Sequence, residues 1–533
     1  MFPRKFDTTR KTIRTTAVGV VSAVVFCFAA ALPVQSAVPD SKSRRQAAKA
    51  LREGEFEVAA KKYRELLEKD ARDHDARLGL SFALLKQRLL QDAYDHAARV
   101  VLADPLSARA HSLLGSAILA SGNFRNSVEE FRTALTLNEN DSLAVAGLAM
   151  VDFYENRLDS AIRGLRRAVG IEPDEPDYIF NLAQATARGE RYKEAADAYE
   201  RFLMIAPKTD SDRRDRIRGL IDFLRYLGNQ ASLYGVGGKG KTELSFEAID
   251  GRPLLKVRVN GEKEPLRFVL DTGSGMSVIS QETAKKLGVR PVARGGLARA
   301  VGGGGRFEIV YGFLSLLEVG DVRVERVPVY IRQFHDAKVK VDGYLGLSVV
   351  SSFVATVDYG SNTFSLVRNA EPGLAKQGMK FSQDPEARRG VIEIPLRTTA
   401  SGFITGELRV DGVERPQNFI VDTGASISVV SQRLAEREEM AAYLQKTTMR
   451  VFGAAGVADD VKLVLLPRVS LGPVVRENVR AAVLDLEPLN ETAGFTQDGI
   501  LGANFFIHFR VAFDFQRGVI RLEPLSPQPL KQY

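Results

Sequence analysis

The sequence predicts a multidomain chain in which an all-α solenoid is followed by two similar all-β domains. Three observations lead to this fold class. A pattern of 34 residues recurs five times in the first half, strand-type alternation replaces the helical period after residue 242, and one short motif occurs twice in the second half. With 533 residues, the chain is too long for a single hydrophobic core and should form several domains.

The first 37 residues predict a secretory signal peptide. Basic residues precede an uncharged apolar run at residues 17–34, and Val34 and Ser36 suit the small-residue positions of a cleavage site. The alternative is an uncleaved anchor, because 18 apolar residues are just long enough to span a bilayer. In either case we expect the rest of the chain to be exported, and to meet a membrane only through an uncleaved leader.

Charge and cysteine content exclude several classes of function. The formal net charge is +8, but the basic leader holds +4 of it, so the remainder argues against a nucleic-acid partner. The only cysteine, Cys27, lies in the leader, which leaves the mature chain without a disulfide or a thiol nucleophile. The five histidines show no ligand spacing, so we expect no metal and no other cofactor.

The 34-residue repeat predicts a stack of helical hairpins. Its five segments are GEFEVA (54–59), RLLQDA (88–93), GNFRNS (122–127), NRLDSA (156–161) and ERYKEA (190–195). The pattern resembles the tetratricopeptide repeat over about residues 43–208. The resemblance implies that one small residue in each unit lets two helices approach closely, namely Ala59, Ala93, Ser127, Ala161 and Ala195.

A further helix at residues 212–229 is predicted to be a solvating cap, so that the array with its cap spans residues 43–230. Such arrays usually bind a peptide or a protein partner. The alternative is a spacer without a ligand, because fold alone does not fix function. The glycine-rich residues 231–242 predict a flexible linker after the array.

The second half of the chain is a duplication. FVLDTGSGMSVIS (268–280) is repeated as FIVDTGASISVVS (419–431), which is 151 positions further on, and DGYLG (342–346) returns as DGILG (498–502), which is 156 positions further on. The extra residues of the second copy are expected around residues 486–497. A single Asp-Thr-Gly would be an ordinary turn signal, but two copies in matching contexts favour a shared site.

The order strand, Asp-Thr-Gly, glycine-rich hairpin and Gly-x-Leu-Gly resembles retropepsin-type aspartic proteases, in particular their exported bacterial relatives. The resemblance covers about residues 243–368 and 390–525, which are joined by a linker at residues 369–389. It implies two acid-protease barrels in a pseudo-twofold bilobal unit and a periplasmic location, with a secreted or membrane-anchored protein as the alternatives. Both halves lie on one chain, unlike the viral homodimers, so a monomer is expected.

Asp271 and Asp422 are the predicted catalytic pair. Peptide hydrolysis requires a base that takes a proton from water and an acid that protonates the carbonyl oxygen, and two carboxylates sharing one proton supply both. At a separation of about 3 Å both cannot ionise, so their titrations split. These titrations belong to the pair, and the sequence assigns neither aspartate a fixed role.

The resemblance also implies roles for neighbouring residues. Thr272 and Thr423 would hydrogen-bond across the pseudo-twofold axis, and Gly273 and Gly424 would let the backbone pass close to the carboxylates. Ser274 would steady the outer oxygen of Asp271, whereas Ala425 cannot do so for Asp422, and this asymmetry would bias the shared proton. Residues 300–309 and 451–460 fall where the family has its substrate-binding flaps, whose glycines here are Gly302, Gly303, Gly304, Gly453 and Gly456.

Four further acids are predicted to be structural because they recur as a pair in each half: Asp342, Asp358, Asp498 and Asp514. The function predicted is therefore an exported aspartic endopeptidase whose array docks a substrate or partner protein. Two alternatives remain, a catalytically silent peptide-binding protein and a scaffold in which the array dominates. Because the pair lies within residues 243–525, that segment alone is predicted to cleave an unstructured peptide.

Overall fold

The computed structural model of the chain describes residues 41–209, 211–303, 305–335, 340–368, 391–454, 456–515 and 517–525. The predicted signal peptide and the predicted linker at residues 369–389 lie outside these residues, as does Gly304 of the first predicted flap. The described residues form a helical solenoid followed by three β-sheets.

The solenoid confirms the predicted all-α array. Each predicted small residue is fully buried, which lets the helices of a hairpin pack closely. In the described part of the chain the helices are α1 (Ser41–Glu53), α2 (Phe56–Lys69), α3 (His74–Lys86), α4 (Leu90–Ala103), α5 (Ala108–Ala120), α6 (Phe124–Leu137), α7 (Ser142–Tyr154), α8 (Leu158–Ile171), α9 (Pro176–Arg188), α10 (Tyr192–Ile205) and α11 (Ser211–Gly228).

Side-chain caps define where the first helix of a hairpin begins. Asp73, Ser107 and Asp141, spaced by 34 residues, each accept a hydrogen bond from the backbone amide three residues further on. These caps satisfy amides that have no partner within the helix. The repeat therefore fixes helix starts as well as packing positions.

The last helix is not the solvating cap that the sequence predicts. One side of α11 packs Ile217 and Ile221 against the last hairpin of the array. Its other side buries Phe223 and Leu227 in a second cluster, which includes Tyr311 of the first β domain. The helix is thus covered on two sides, because its apolar residues serve two different partners.

The predicted flexible linker at residues 231–242 is also wrong, because its glycines form a strand. Strand β1 (Gly235–Gly238) pairs antiparallel with β9 (Val322–Arg332) at the edge of a sheet, and β2 (Lys241–Ser245) joins another sheet. Glycine lowers strand propensity, but here the edge of β9 supplies hydrogen-bonding partners.

The two β domains share a central order of five equivalent strands, β9-β6-β10-β5-β4 in the first and β20-β17-β21-β16-β15 in the second, and β8 and β19 each pair with both ends of their own run. The first sheet runs β1-β9-β6-β10-β5-β4-β8-β7 with β3 beside β4, and the second runs β14-β15-β16-β21-β17-β20-β19-β18. The strands not yet bounded are β3 (Glu247–Ile249), β4 (Arg252–Val259), β5 (Leu266–Leu270), β6 (Ser277–Ser280), β7 (Ala293–Arg299), β8 (Arg306–Val319), β10 (Gly343–Leu345), β14 (Arg397–Thr398), β15 (Ile404–Val410), β16 (Gln417–Val421), β17 (Ser428–Ser431), β18 (Leu444–Gly453), β19 (Gly456–Leu471), β20 (Val474–Leu484) and β21 (Gly499–Leu501).

Short helices lie in the connections between the strands of both sheets. They are α12 (Gln281–Lys286), α13 (Leu347–Val350), α14 (Gln432–Ala435), α15 (Glu487–Ala493), α16 (Ala503–Phe506) and a 3-10 helix (Glu438–Tyr443). Helices α12 and α14 follow equivalent strands, as do α13 and α16. Helix α15 lies in the connection from β20 to β21, which spans residues 485–498, whereas the equivalent connection from β9 to β10 spans residues 333–342. Four of the five extra residues of the second copy therefore lie in the connection that the spacing predicted.

A third sheet joins the two halves within the chain. It runs in the order β13-β23-β22-β11-β12-β2. Strand β11 (Phe353–Asp358) of the first half pairs antiparallel with β22 (Phe509–Asp514) of the second. The outer members are β12 (Thr363–Arg368), β13 (Ile392–Pro395) and β23 (Val519–Pro524). Each half contributes three strands, so the two pseudo-twofold halves share one continuous sheet.

The second half also docks on the array through its extra segment. Phe495 is fully buried, and its ring meets the rings of Phe124 and Tyr154 edge-on, with centroids 4.9 and 5.0 Å away. The backbone amide of Thr496 donates to the carbonyl of Ala120 at 2.9 Å. The array is therefore packed against its own β domains at both α11 and this segment.

Candidate active site

Each Asp-Thr-Gly turn follows the strand that the sequence predicted. Asp271 comes directly after β5 and Asp422 directly after β16. The amide of Asp271 donates to the carbonyl of Leu345, and the amide of Asp422 donates to that of Leu501, both at 3.0 Å. Each turn is thus anchored by the Gly-x-Leu-Gly strand of its own half.

Two threonines bind the turns to each other. The amide of Thr272 donates to Oγ1 of Thr423 at 3.2 Å, and the amide of Thr423 donates to Oγ1 of Thr272 at 3.0 Å. Their hydroxyls donate across the axis to the carbonyls of Val421, at 2.9 Å, and Leu270, at 2.8 Å. Both threonines are buried, so these reciprocal bonds fix the relative position of the two turns.

Each glycine of the motif lies against the aspartate of the other half. A Cβ atom on Gly273 would lie 2.3 Å from the carboxyl carbon of Asp422, and one on Gly424 would lie 2.7 Å from Oδ1 of Asp271. Real side chains cannot approach so closely, so only glycine fits at either position. The crossed contacts bring the two carboxyl groups into a single site.

The carboxyl groups differ in their surroundings. Oδ1 of Asp422 accepts hydrogen bonds from the amides of Gly424, at 2.7 Å, and Ala425, at 3.2 Å. Burial raises the pKa of Asp422, while these amides and a hydrogen bond from Asp271 oppose the rise. Burial, the charge of Asp422 and the hydrogen bond to it raise the pKa of Asp271 well above its usual value. The two amide donors to Asp422 favour the negative charge on that residue, while the titrations belong to the pair.

The predicted hydrogen bond from Ser274 to Asp271 is wrong. Oγ of Ser274 instead donates to the carbonyl of Met276, within the same turn, at 3.0 Å. A hydroxyl has a single proton to donate. The asymmetry of the pair instead comes from backbone amides, and Ala425 contributes through its amide although its side chain is inert.

The predicted flaps are two β-hairpins whose tips touch. Strands β7 and β8 form flap 1, and strands β18 and β19 form flap 2. A Cβ atom on Gly453 would lie 2.6 Å from Cα of Gly302, and one on Gly303 would lie 2.5 Å from the carbonyl carbon of Gly456. Gly302, Gly303 and Gly456 have positive φ angles, which favour glycine. Four of the predicted flap glycines are therefore at the tips, and Gly304 lies outside the described residues.

Arg332, at the end of β9, is a site residue that the motifs did not identify. Its guanidinium lies 3.8 Å from the ring centroid of Phe307 on flap 1, and its Nη2 donates to the carbonyl of Ala454 in flap 2 at 2.5 Å. Burial lowers the pKa of Arg332, and electrostatic interactions with Tyr330 and Asp271 oppose this shift. The side chain thus lies beside the pair and contacts both flaps.

The four acids predicted to be structural accept hydrogen bonds in turns. Asp342 accepts from the amide of Arg267 at 2.8 Å, and Asp498 accepts from the amide of Asn418 at 3.2 Å. Asp358 and Asp514 accept from amides of their own turns.

Among the described residues, no group of three or more histidine, cysteine or acidic side chains is placed to hold a metal ion. No helix in the described ranges is both long and apolar enough to cross a bilayer.

Comparison with known families identifies both parts of the chain. Residues 255–349 and 406–505 match a family model described as aspartyl protease. Residues 50–117 and residues 147–211 match two models of the tetratricopeptide repeat. The aspartyl protease match covers both Asp-Thr-Gly turns and both Gly-x-Leu-Gly strands.

Individual relatives match only parts of the chain. Anaphase-promoting complex subunit 3 of Schizosaccharomyces pombe is 29% identical over 123 residues, which are 23% of this chain and 18% of that protein. TTC0263, a TPR protein of Thermus thermophilus, is 21% identical over 34% of this chain and 97% of its own, with a TM-score of 0.30. MamA from Desulfovibrio magneticus RS-1 is 20% identical over 32% of this chain and 96% of its own, with a TM-score of 0.23.

Proposed function

Because the chain carries an aspartyl protease domain in two segments after an array of tetratricopeptide repeats, we propose that it is an aspartic endopeptidase with Asp271 and Asp422 as its catalytic pair. The observation that carries this proposal is the crossed contact of Gly273 with Asp422 and of Gly424 with Asp271. It supports a pair of carboxyl groups close enough to share one proton, which is the requirement of the reaction.

The different surroundings of the two acids support the following order of steps. Asp422, stabilised as the anion by two amides, takes a proton from water as the water oxygen bonds to the peptide carbonyl carbon. Asp271 gives its proton to the carbonyl oxygen, which forms a neutral tetrahedral diol. Asp422 then passes its proton to the amide nitrogen, the C–N bond breaks, and one diol hydroxyl returns its proton to Asp271. The pair is thereby restored for the next turnover.

The substrate is an extended peptide that lies between the pair and the flaps. Flap strands with free edges can hold such a peptide through main-chain hydrogen bonds, as an added strand, while side-chain pockets set the preference. The touching glycine tips would have to separate for a chain to enter. The site therefore favours unstructured segments of a protein over folded ones.

The array has a structural role in this proposal, besides docking a peptide or a partner protein. Helix α11 packs along flap 1: Asp212 pairs with Arg306 at 2.7 Å, and Nη1 of Arg216 donates to the carbonyl of Leu297 at 3.1 Å. Flap 1 is thus supported from outside the protease domain. Flap 2 exposes Phe452 and Val457 near its tip and is the flap free to open.

We further propose that the protein acts as a monomer after export, since both halves of the site come from one chain and residues 1–37 have the features of a signal peptide. A mature N-terminus near Ala37, found by sequencing the recovered protein, is the expected result. Recovery of the full-length chain from membranes would instead show that the leader is an uncleaved anchor.

Mass spectrometry of an unbiased peptide library tests the hydrolase function. The wild-type protein should produce cleaved peptides with new N-termini and C-termini, and the Asp422→Asn variant should produce none. If the wild type binds library peptides without cutting them, the silent peptide-binding alternative is correct. If it does neither while the array recovers a stable partner, the scaffold alternative is correct.

A further inference from the structure

The duplication allows the two walls of the site to be compared residue by residue. In the first half, β6 pairs with β9 so that Ser280 lies opposite Arg332. In the second half, β17 pairs with β20 so that Ser431 lies opposite Leu484. Arg332 and Leu484 are thus equivalent positions in the two halves, so a cation in the first half corresponds to an apolar residue in the second.

The same difference extends along the strand. Val278 lies opposite Tyr330 in the first half, and Val429 lies opposite Ala482 in the second. Leu484 is buried in an apolar cluster, against which Val301 of flap 1 also packs. The first wall is therefore aromatic and basic, and the second wall is small and apolar.

Arg332 is held in place by contacts with both flaps. Phe307 lies under the guanidinium plane and the carbonyl of Ala454 accepts from one of its nitrogens. Within the described residues, no carboxylate forms an ion pair with Arg332, although most arginines close to the flaps have one. A partly buried cation without an ion-pair partner is costly, and a planar guanidinium that is already oriented is suited to donate two parallel hydrogen bonds to a carboxylate.

We propose that Arg332 selects substrates by binding a carboxylate of the peptide on the first-half side of the scissile bond. The substrate class that fits has an acidic side chain on that side and an apolar side chain on the side of Leu484. This inference rests on the proposed peptidase function, and it names the class of peptide that the same site takes. A terminal carboxylate has the same chemistry as an acidic side chain and is distinguished by the test.

The competing explanation is that Arg332 only keeps flap 2 closed through the carbonyl of Ala454. A latch would affect every substrate equally, because that bond does not involve the peptide. A carboxylate site would change the ratio between two substrates that differ only in charge. For each variant we therefore compare kcat/KM for the charged peptide with kcat/KM for the neutral one. This ratio is informative even if the variant is less active on both peptides.

The experiment compares pairs of synthetic peptides based on a sequence that the wild type cleaves, with Glu or Gln at each position flanking the scissile bond. The wild type should prefer Glu at one position by at least about tenfold in kcat/KM. Arg332→Leu, which copies the second half, should reduce this ratio to about one, and Arg332→Lys should retain part of it. The control Arg294→Leu removes a charge that is paired with Glu308 on flap 1 and should leave the ratio unchanged.

Two further arms identify the source of the carboxylate and separate this inference from the proposed function. A lower kcat/KM for the C-terminally amidated form of one peptide than for its free-acid form, with no such difference in Arg332→Leu, would assign the site to a terminal carboxylate. Capture of Glu peptides over Gln peptides by Asp422→Asn, lost on adding Arg332→Leu, would support the site even if no peptide were cleaved. Cleavage with neither a Glu preference nor an effect of amidation, or with a preference that Arg332→Leu leaves intact, would overturn the inference while the peptidase function stands.

Discussion

The ring of Phe223, on the last helix of the repeat array, stacks on the ring of Tyr311 in flap 1, with centroids 4.1 Å apart and planes 16° apart. Two domains that the sequence separates by a predicted linker therefore share a buried aromatic contact. Because Tyr311 belongs to a flap strand, the contact connects the array to flap 1 of the aspartyl protease domain.

Removal of this contact should loosen flap 1. Phe223 is almost fully buried, and truncation of such a residue to alanine costs about 3–5 kcal/mol. In Phe223→Ala, we expect faster amide hydrogen exchange over residues 293–319. The control Phe131→Ala removes an equally buried ring in the middle of the array and should leave exchange in the flap unchanged.

The same reasoning revises the expectation that residues 243–525 suffice for cleavage. That segment lacks α11 and leaves Tyr311 exposed, so we expect it to be less active than the whole chain and its flap 1 to exchange as in Phe223→Ala. Flap exchange as slow as in the wild type, in either protein, would show that the array does not support the flap.

Gly273→Ala should abolish turnover without unfolding the protein. The new methyl group would meet the carboxyl group of Asp422 and displace it, and a displacement of about 1 Å is expected to cost at least about 100-fold in rate. Gly237→Ala is the matched control, because the space around its Cβ is open and its φ is not positive. Rates and circular dichroism of both variants decide the matter, and a Gly273→Ala enzyme with near-normal kcat/KM would contradict the tight approach.

The pH dependence of activity should reflect two raised carboxyl pKa values. The base must be ionised and the acid protonated, so kcat/KM follows a bell whose limbs report the pair. Because the pKa values of both Asp422 and Asp271 are raised above 3.8, both limbs should lie above that pH. The profile is measured with one neutral peptide from about pH 3 to about pH 9, and an optimum below pH 3.8 would contradict the assignment.

Asp271→Asn should be more stable than the wild type at neutral pH. A folded-state pKa above the unfolded value means that the folded protein binds more protons, so wild-type stability falls as the pH rises from the unfolded pKa to the folded one. The amide mimics the protonated acid and avoids this loss. Thermal unfolding should show a higher Tm for the variant than for the wild type near pH 7. Below pH 3.8, the ordinary pKa of an aspartate, the two Tm values should be equal. A variant that is equally or less stable at every pH would mean that Asp271 carries no raised pKa.

Much of the architecture follows from regularities that survive in the sequence. The strands β5, β6 and β10 recur at offsets of 151, 151 and 156 residues as β16, β17 and β21. The Asp-Thr-Gly turn and its anchoring strand thus follow in the same order in both halves. The 34-residue period likewise fixes the caps and the buried small residues of the array.

The remaining features depend on partners that periodicity does not name. The amphipathic pattern of α11 shows that it buries apolar residues, but not that one side meets a flap. The glycines of β1 suggested flexibility because the open edge of β9 is invisible in the local sequence. Ser274 was chosen by residue type, whereas the turn geometry decides its acceptor. Arg332 could have been found by comparing the two halves at an offset of 152, where it stands against Leu484.

The central claim is that Asp271 and Asp422 of one chain form the pair, as opposed to each half pairing with its own kind in a second chain. Kinetics of Asp271→Asn, of Asp422→Asn and of their mixture test this most directly, because an amide can neither act as the base nor share the proton. Under the one-chain pair, both variants and the mixture should be inactive while remaining folded, and the wild-type specific rate should not depend on protein concentration. Substantial activity in one single variant or in the mixture, or a specific rate that rises with concentration, would contradict it.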